Sequence, residues 1–531
     1  MSPTTSTKIN KRVSLSSTAL LLISSAFIGQ LLGFLRTRLI NANFPATGPG
    51  STDAYFAAFN IPDFFFFTLA AGALGVAFMP VLAEHLQRGD KRGMWELATS
   101  LMNFLVLIMA AVSIIILIFA QPLVHYIVSP NMTPAQLHNT VVIMRLLALN
   151  PLLFTISGVL TATQQTMGRF FFYALAPLAY NLSIIVSIFV FKNNIGLVGI
   201  GIGALVGAVL QLGIVALGLI GANFHWSPRI IWRNSDFRLI LRQLPPRSLD
   251  QGMDQIESII QTHFARRLGA GFISYYNNAY ILSTAPTLLI GTAISTAAFP
   301  QLNNRLAQGR PDLFRKDFRK ILRIMIWLGA PVAVMGYFTR GYLARLIFAN
   351  DSPQIALLFG FLTLAIFSTT LYSFISRWFY SHKDTVTPLL VSVFTILFNV
   401  ILVSILARPS TYGMSGLALT QSIVATAEVF ILSIIIMVRD PLLFNIDFWV
   451  GVIRIMSVTG FSVLAGFIMV TLLPLETKDH GFAILGSKLL SIAIVIVVVH
   501  TVISALFGLD EVKPVFNRLR KIILKPIRIP F

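Results

Sequence analysis

The sequence contains no cysteine, and only 20 of its 531 residues are acidic. The absence of cysteine excludes disulfide bonds, thiolate nucleophiles and cysteine-ligated zinc or iron–sulfur sites. Charged residues of both signs make up only 11% of the chain, which is too few to cover the surface of soluble domains of this total length. The few histidines are scattered without metal-binding spacing, and no phosphate-binding loop, nucleophile elbow or dinucleotide fingerprint occurs. We therefore expect no catalytic residue, no metal and no cofactor.

Hydrophobic residues, in contrast, make up 56% of the chain, and its mean hydropathy is +0.80. Apolar runs recur at the length of about 20 residues that crosses a bilayer core of about 30 Å. They predict an all-α polytopic membrane protein with about fourteen transmembrane helices, the first of them a retained helix rather than a cleaved signal peptide. The predicted spans are residues 15–39, 54–84, 96–120, 139–163, 171–191, 196–222, 242–264, 271–300, 320–347, 355–380, 387–407, 413–437, 448–473 and 485–508.

The formal net charge of +20 is distributed between these spans rather than along one surface. Basic residues occupy alternate loops, such as Arg88, Lys91 and Arg92, whereas the intervening loops 41–51 and 122–138 contain no lysine or arginine. This alternation follows the positive-inside rule and places both termini on the cytoplasmic side of the membrane. The positive charge therefore indicates contact with anionic membrane lipids and no binding of nucleic acid.

The chain also repeats itself. The segment around Pro80 resembles that around Pro300, Asn181 matches Asn399, and Gly196 matches Gly413, in the same order and at nearly the same spacing. A repeat of six spans predicts two lobes related by a pseudo-two-fold axis along the membrane normal, with a substrate site between them. The predicted divisions are an N-terminal six-helix lobe, a C-terminal six-helix lobe, two extra helices and a basic cytoplasmic tail, at residues 1–225, 226–440, 441–510 and 511–531.

Polar side chains inside the spans are costly in hydrocarbon and therefore mark candidate sites. The candidate substrate-binding residues are Arg36, Asp53, Asn60, Arg145 and Arg247. Asp63 lies further along the same span as Asp53.

The seventh span carries the most polar residues. Arg247, Asp250, Asp254, Glu257 and Gln261 are spaced by three and four residues, so they share one face of a helix. Such a stripe predicts either a site for cations, protons or a polar headgroup, or an internal network of ion pairs. The first alternative makes Asp250, Asp254 and Glu257 candidates for ion coupling.

Three N-terminal motifs carry a family resemblance. Gly33-Phe34-Leu35-Arg36, the segment 52–62 beginning Thr-Asp-Ala, and the segment 72–82 with its Phe-Met-Pro resemble the opening helices of the MurJ/MviN lipid II flippases. Segments 168–181, 291–300 and 379–388 are also similar to that family, so the resemblance covers nearly the whole chain.

The resemblance implies the multidrug/oligosaccharidyl-lipid/polysaccharide exporter fold, with two six-helix lobes around a cationic cavity and a groove for a prenyl chain between the two extra helices. It implies a transporter, not an enzyme, that moves the undecaprenyl-diphosphate-linked peptidoglycan precursor lipid II to the outer leaflet. Cell-wall synthesis proteins would be partners. Because no nucleotide-binding motif is present, transport would be driven by the membrane potential, by a monovalent ion or by the substrate gradient.

Four positions depart from the family pattern. Gln30, Phe66, Phe67 and Ile281 stand where the family has arginines, whereas Arg36 and Asp53 match family residues. Two alternatives therefore remain open beside lipid II translocation. They are a flippase for another polyprenyl-diphosphate-linked glycan and a cation-coupled exporter of small molecules.

Overall fold

The computed structural model describes residues 15–71, 78–348 and 352–513. These residues form helices and connecting loops without strands, which confirms the all-α prediction. The helices are α1 Leu15–Asn43, α2 Thr52–Phe66, α3 Met79–Gln87, α4 Lys91–Pro122, α5 Pro134–Leu147, α6 Asn150–Thr166, α7 Phe171–Phe191, α8 Leu197–Leu217, α9 Ser235–Leu268, α10 Phe272–Pro286, α11 Ala293–Ala307, α12 Pro311–Ile347, α13 Ser352–Ser381, α14 Val386–Leu406, α15 Gly413–Arg439, α16 Ile446–Leu472 and α17 Gly481–Leu506.

Eleven helices within the described residues are long and apolar enough to cross a membrane, some of them continuous across two of the helices named above. They coincide with eleven of the predicted spans and make this a multi-pass membrane protein. Of the other three predicted spans, 15–39 and 242–264 coincide with α1 and α9, whereas 54–84 begins in α2 and ends in α3. None of these helices is among the eleven. The predicted number of fourteen therefore stays a prediction. Residues 72–77 of the second span and the tail beyond residue 513 lie outside the described residues.

The chain divides into two compact units, Met1–Ser274 and Tyr275–Phe531. In the first unit, an apolar core around Trp95 and Phe237 joins α3, α4, α6, α8 and the start of α9. In the second, stacked rings of Phe314, Phe318 and Phe374 form part of the core between α12 and α13. Helix α9 thus belongs to the first compact unit. The predicted lobes 1–225 and 226–440 were drawn from the sequence repeat, and they stay a prediction.

Backbone features recur at the spacing of the sequence repeat. A π-helical turn at Phe67–Ala71 has a counterpart at Thr287–Thr292. Gly89 and Gly309, which are separated by the same interval as these two turns, both adopt positive φ, of 76° and 67°. The left-handed region is open to glycine without steric cost, so these turns explain why glycine occupies both positions. The duplication thus extends from residue identity to local backbone conformation.

In the second unit, α16 and α17 pack against α12 through apolar contacts and one buried polar network. His500 of α17 is within 2.9 Å of the Ser462 hydroxyl of α16 and 3.1 Å of the Trp327 carbonyl of α12. The Trp327 indole donates to the Ser504 hydroxyl at 2.8 Å. Because a hydrocarbon environment supplies no competing partners, these bonds fix the two C-terminal helices to α12. Their predicted role as a prenyl groove stays a prediction.

Candidate functional site

The first unit brings an arginine and an aspartate of two helices within electrostatic range of each other. Arg36 lies on α1 and Asp63 on α2. The phenol groups of Tyr55 on α2 and Tyr180 on α7 lie within the same range of both side chains. The Arg36 Nε is buried and has no hydrogen-bond partner in the described residues. At least one N–H donor of Arg36 therefore has no acceptor among the described residues.

Asp53, a second predicted binding residue, is fully buried at the start of α2. Its carboxylate accepts the Gly271 N–H at 2.7 Å, the Ser274 N–H at 2.8 Å and the Ser274 hydroxyl at 2.7 Å. The Arg266 Nη1 lies 3.6 Å from the same carboxylate. The carboxylate thus satisfies N–H groups at the beginning of α10, which the helix itself cannot satisfy. The contacts support a positioning role for Asp53, and substrate binding by it stays a prediction.

Arg266, near the end of α9, extends this buried network to the loops before α2 and α5. Its guanidinium donates to the Asn131 carbonyl at 3.0 Å and to the Gln136 Oε1 at 2.8 Å. The Gln136 amide donates in turn to the Gly48 carbonyl and the Ser51 hydroxyl, each at 3.0 Å. Sequence reasoning missed Arg266 because an arginine at the end of an apolar span is usually an ordinary interfacial residue.

Asn60 lies one helical turn from Asp63 and joins α2 to α9. Its Oδ1 accepts the Ser258 hydroxyl at 3.1 Å, and its Nδ2 donates to the Thr262 hydroxyl at 3.2 Å. Asn60 is only 5% exposed, so these bonds hold the two helices together in the interior of the unit. Binding of substrate by Asn60 stays a prediction.

The polar stripe of the seventh span lies on a continuous helix, α9. The side chains of Arg247 and Asp250 are outside the part of the chain that the structure describes. Asp254 is exposed, Glu257 is partly buried and Gln261 is buried. The stripe thus passes from the surface of the unit into its interior, and ion coupling through it stays a prediction.

Arg145 of α5 has a different environment from Arg36. It is exposed, and its Nε donates to the Leu117 carbonyl of α4 at 3.1 Å. This bond ties α5 to α4, and binding of substrate by Arg145 also stays a prediction.

Phe66, one of the aromatic residues at a family arginine position, ends α2. Its ring contacts Phe154 of α6 at 5.6 Å between centroids, and Phe154 contacts Tyr180 of α7 at 5.4 Å. An aromatic row therefore extends from the end of α2 to the surroundings of Arg36. No motif in the sequence revealed this row, because its members come from three separate helices.

Comparison with known proteins identifies relatives that match most of the chain. The model of the lipid II flippase MurJ family matches residues 48–484. Probable lipid II flippases MurJ of Borreliella burgdorferi and Buchnera aphidicola are 23% and 26% identical over 433 and 416 residues. These alignments cover 80% and 76% of this chain and 83% and 80% of the relatives.

Solved structures agree on the fold. A lipid II flippase MurJ in an inward closed conformation superposes with a TM-score of 0.74 at 20% identity, covering 93% of this chain and 100% of its own. An inward-facing multidrug resistance MATE transporter of the MOP superfamily gives a TM-score of 0.63 at 17% identity, covering 83% and 98%. The resemblance expected from the sequence motifs is confirmed. Since the family model matches most of the chain, the protein belongs to the lipid II flippase MurJ family.

Proposed function

We propose that this protein translocates lipid II from the inner to the outer leaflet of the bacterial inner membrane by alternating access, as a step of peptidoglycan synthesis. The observation that carries the proposal is the family match across residues 48–484, which spans both compact units. Similarity to a MurJ flippase and to a MATE transporter supports a transporter rather than an enzyme.

Arg36 is the residue of this chain best suited to the substrate's diphosphate. A planar guanidinium offers several N–H donors in a geometry that matches phosphate oxygens. Its Nε is buried without a hydrogen-bond partner in the described residues. A phosphate oxygen of the substrate would accept the hydrogen bond that this N–H group does not make within the protein. Asp63 lies within electrostatic range of this cation and, when ionised, would lower the cost of a charge in the membrane.

The proposal includes an orientation and a driving force. The positive-inside distribution supports cytoplasmic N- and C-termini. Because the sequence has no nucleotide-binding motif, transport would be coupled to the membrane potential or to a monovalent ion, or would follow the substrate gradient. Partners would be the lipid substrate, anionic membrane lipids and cell-wall synthesis proteins.

A second candidate is a flippase for another polyprenyl-diphosphate-linked glycan. Phe66 and Phe67 favour it, because aromatic rings occupy the place of two arginines of the family pattern. A head group with less negative charge than lipid II would suit this composition better.

Complementation tests the proposal directly. Expression of the chain in a strain depleted of its own lipid II flippase should restore growth and wild-type levels of lipid II in the outer leaflet. Arg36→Ala should abolish the rescue, and Arg36→Lys should weaken it, because lysine keeps the charge but lacks the planar donor pair. Arg38→Ala is the matched control, since Arg38 is exposed two residues along the same helix.

Two outcomes would contradict the proposal. Absence of rescue by a chain that reaches the membrane at normal levels would exclude lipid II as its substrate. Full rescue by Arg36→Ala would remove Arg36 from the substrate site.

A further inference from the structure

A half-open cavity of about 310 Å³ lies within the first unit, between the end of α2 and helices α6, α7 and α8. Its volume is at the lower end of the range for ligand pockets, which suits a single ring. The residues that line it are Phe66, Phe154, Ser157, Gly158, Thr161, Tyr173, Ala176, Pro177, Gln211 and Val215. None of them is charged.

Two hydroxyl groups of α6 in this lining differ from the other hydroxyls of the helix. Thr163 and Thr166 donate to the carbonyls of Val159 and Ala162 one turn earlier, at 2.8 and 2.9 Å. Ser157 and Thr161 form no hydrogen bond within the described part of the chain, although Ser157 is only 2% exposed. Since both residues line the cavity, these two hydroxyls are available to a ligand.

Helices α7 and α8 add further polar groups. Tyr173 and Gln211 line the cavity, and among the described residues neither side chain has a hydrogen-bond partner. Pro177 lacks an N–H, so the Tyr173 carbonyl one turn before it loses its usual helical donor. Donors and acceptors from three helices thus converge on one small volume.

The remaining walls are aromatic. Phe66 and Phe154 contact each other edge to face at 5.6 Å between centroids, and both line the cavity. The combination of aromatic faces, neutral hydroxyls and an amide, without charge, matches a ligand that has apolar C–H faces and a rim of hydroxyl and amide groups. A prenyl chain would leave the polar groups unpaired, and a diphosphate would find no cation.

We propose that this cavity binds one N-acetylhexosamine ring of the lipid-linked saccharide. The assignment rests on the proposed function, because it takes the ring from the same substrate whose diphosphate Arg36 contacts. Phe154 links the two places, since its ring contacts Tyr180, which lies within the electrostatic range of Arg36. Sugar and diphosphate would thus occupy adjoining parts of the first unit.

Binding of two short-chain probes to the purified full-length protein tests the assignment. The probes are the farnesyl analogue of lipid II and farnesyl diphosphate, which lacks the sugars, and native mass spectrometry measures both affinities. The double variant Ser157→Ala, Gln211→Leu should weaken binding of the sugar-bearing probe about tenfold or more, as expected for loss of two hydrogen bonds. Its affinity for farnesyl diphosphate should stay unchanged.

Two further variants separate the pocket from the fold. Thr166→Ala removes a hydroxyl of the same helix that bonds within the helix, so it should change neither affinity. Tyr173→Phe keeps the ring and deletes one hydroxyl, and should weaken only the sugar-bearing probe, which provides a second reading should the double variant fail to fold.

The outcomes distinguish this assignment from the proposed function. Equal losses for both probes, or no loss for either, would overturn the sugar pocket while leaving lipid II translocation intact. A wild-type protein that binds neither probe would overturn the proposed function and the pocket with it.

Discussion

The Asp53 carboxylate accepts both the backbone N–H and the side-chain hydroxyl of Ser274, at 2.8 and 2.7 Å, across a sequence separation of 221 residues. The same carboxylate is fully buried and lies 3.6 Å from the Arg266 guanidinium. One side chain thus determines where α10 begins and compensates a buried cation of α9.

Replacing Asp53 should therefore destabilise the protein. Asp53→Ala leaves Arg266 as a buried charge without its counterion and leaves the first N–H groups of α10 without an acceptor. This change costs about 3–5 kcal/mol. Asp53→Asn should cost less, since its oxygen can still accept one of the N–H groups. Thermal unfolding of the purified protein measures both, with the exposed Asp447→Asn as control. Equal stability of Asp53→Ala and wild type would contradict the positioning role.

The sequence predicted the helices well, because the thickness of the bilayer sets the length of an apolar run. Two of the three spans outside the set of eleven, 15–39 and 242–264, each coincide with one continuous helix, α1 and α9. The repeat was also visible, since Gly89 and Gly309 are required by the positive φ of the backbone, whereas a Cβ at either position would meet no atom within 4 Å.

The partners of the polar residues were not predictable. Asp53 in a membrane span is a reasonable candidate for substrate binding, but its donors at Gly271 and Ser274 come from a distant part of the sequence. Ser157 and Gln211 are ordinary residues of membrane helices until folding brings them to one cavity. Long-range pairing of this kind has no periodic signal in one sequence.

His500 should matter for stability rather than for chemistry. His500→Leu keeps most of the volume but leaves the Trp327 carbonyl and the Ser462 hydroxyl without this partner, at a cost of about 1–3 kcal/mol. Thr501→Ala is the matched control, because the hydroxyl of Thr501 bonds only the Val497 carbonyl of its own helix. Thermal unfolding compares the two variants, and a control as destabilised as His500→Leu would argue against a specific network.

The contact between α7 and α8 should depend on a glycine. A Cβ at Gly203 would lie 2.1 Å from the Ser187 Oγ, whereas a Cβ at Gly213 would meet no atom within 4 Å. Gly203→Ala should therefore destabilise by about 1–3 kcal/mol through overpacking. Gly213→Ala on the same helix should be neutral or stabilising by up to about 1 kcal/mol, because alanine favours helices.

A compensating change makes the packing prediction specific. Ser187→Gly removes the side chain that the new methyl group would strike, so the double variant Gly203→Ala, Ser187→Gly should recover part of the lost stability. Unfolding temperatures of the four proteins form a double-mutant cycle. Additive effects of the two substitutions would show that the helices do not meet at this point.

Asp384, in the loop before α14, should make stability depend on pH. Burial raises its pKa, but hydrogen bonds from the Thr387 hydroxyl and N–H and from Arg439 outweigh burial and lower the pKa to about 2. A carboxyl group whose pKa is lower in the folded than in the unfolded protein stabilises the fold above the unfolded pKa of about 3.9. That contribution is lost as the pH falls from about 4 through about 2, because the proton then binds the folded form as well.

Asp384→Asn should consequently lower the unfolding temperature at pH 7, and the difference from wild type should shrink between pH 4 and pH 2. A difference for Asp384→Asn that stays constant down to pH 2 would contradict the lowered pKa.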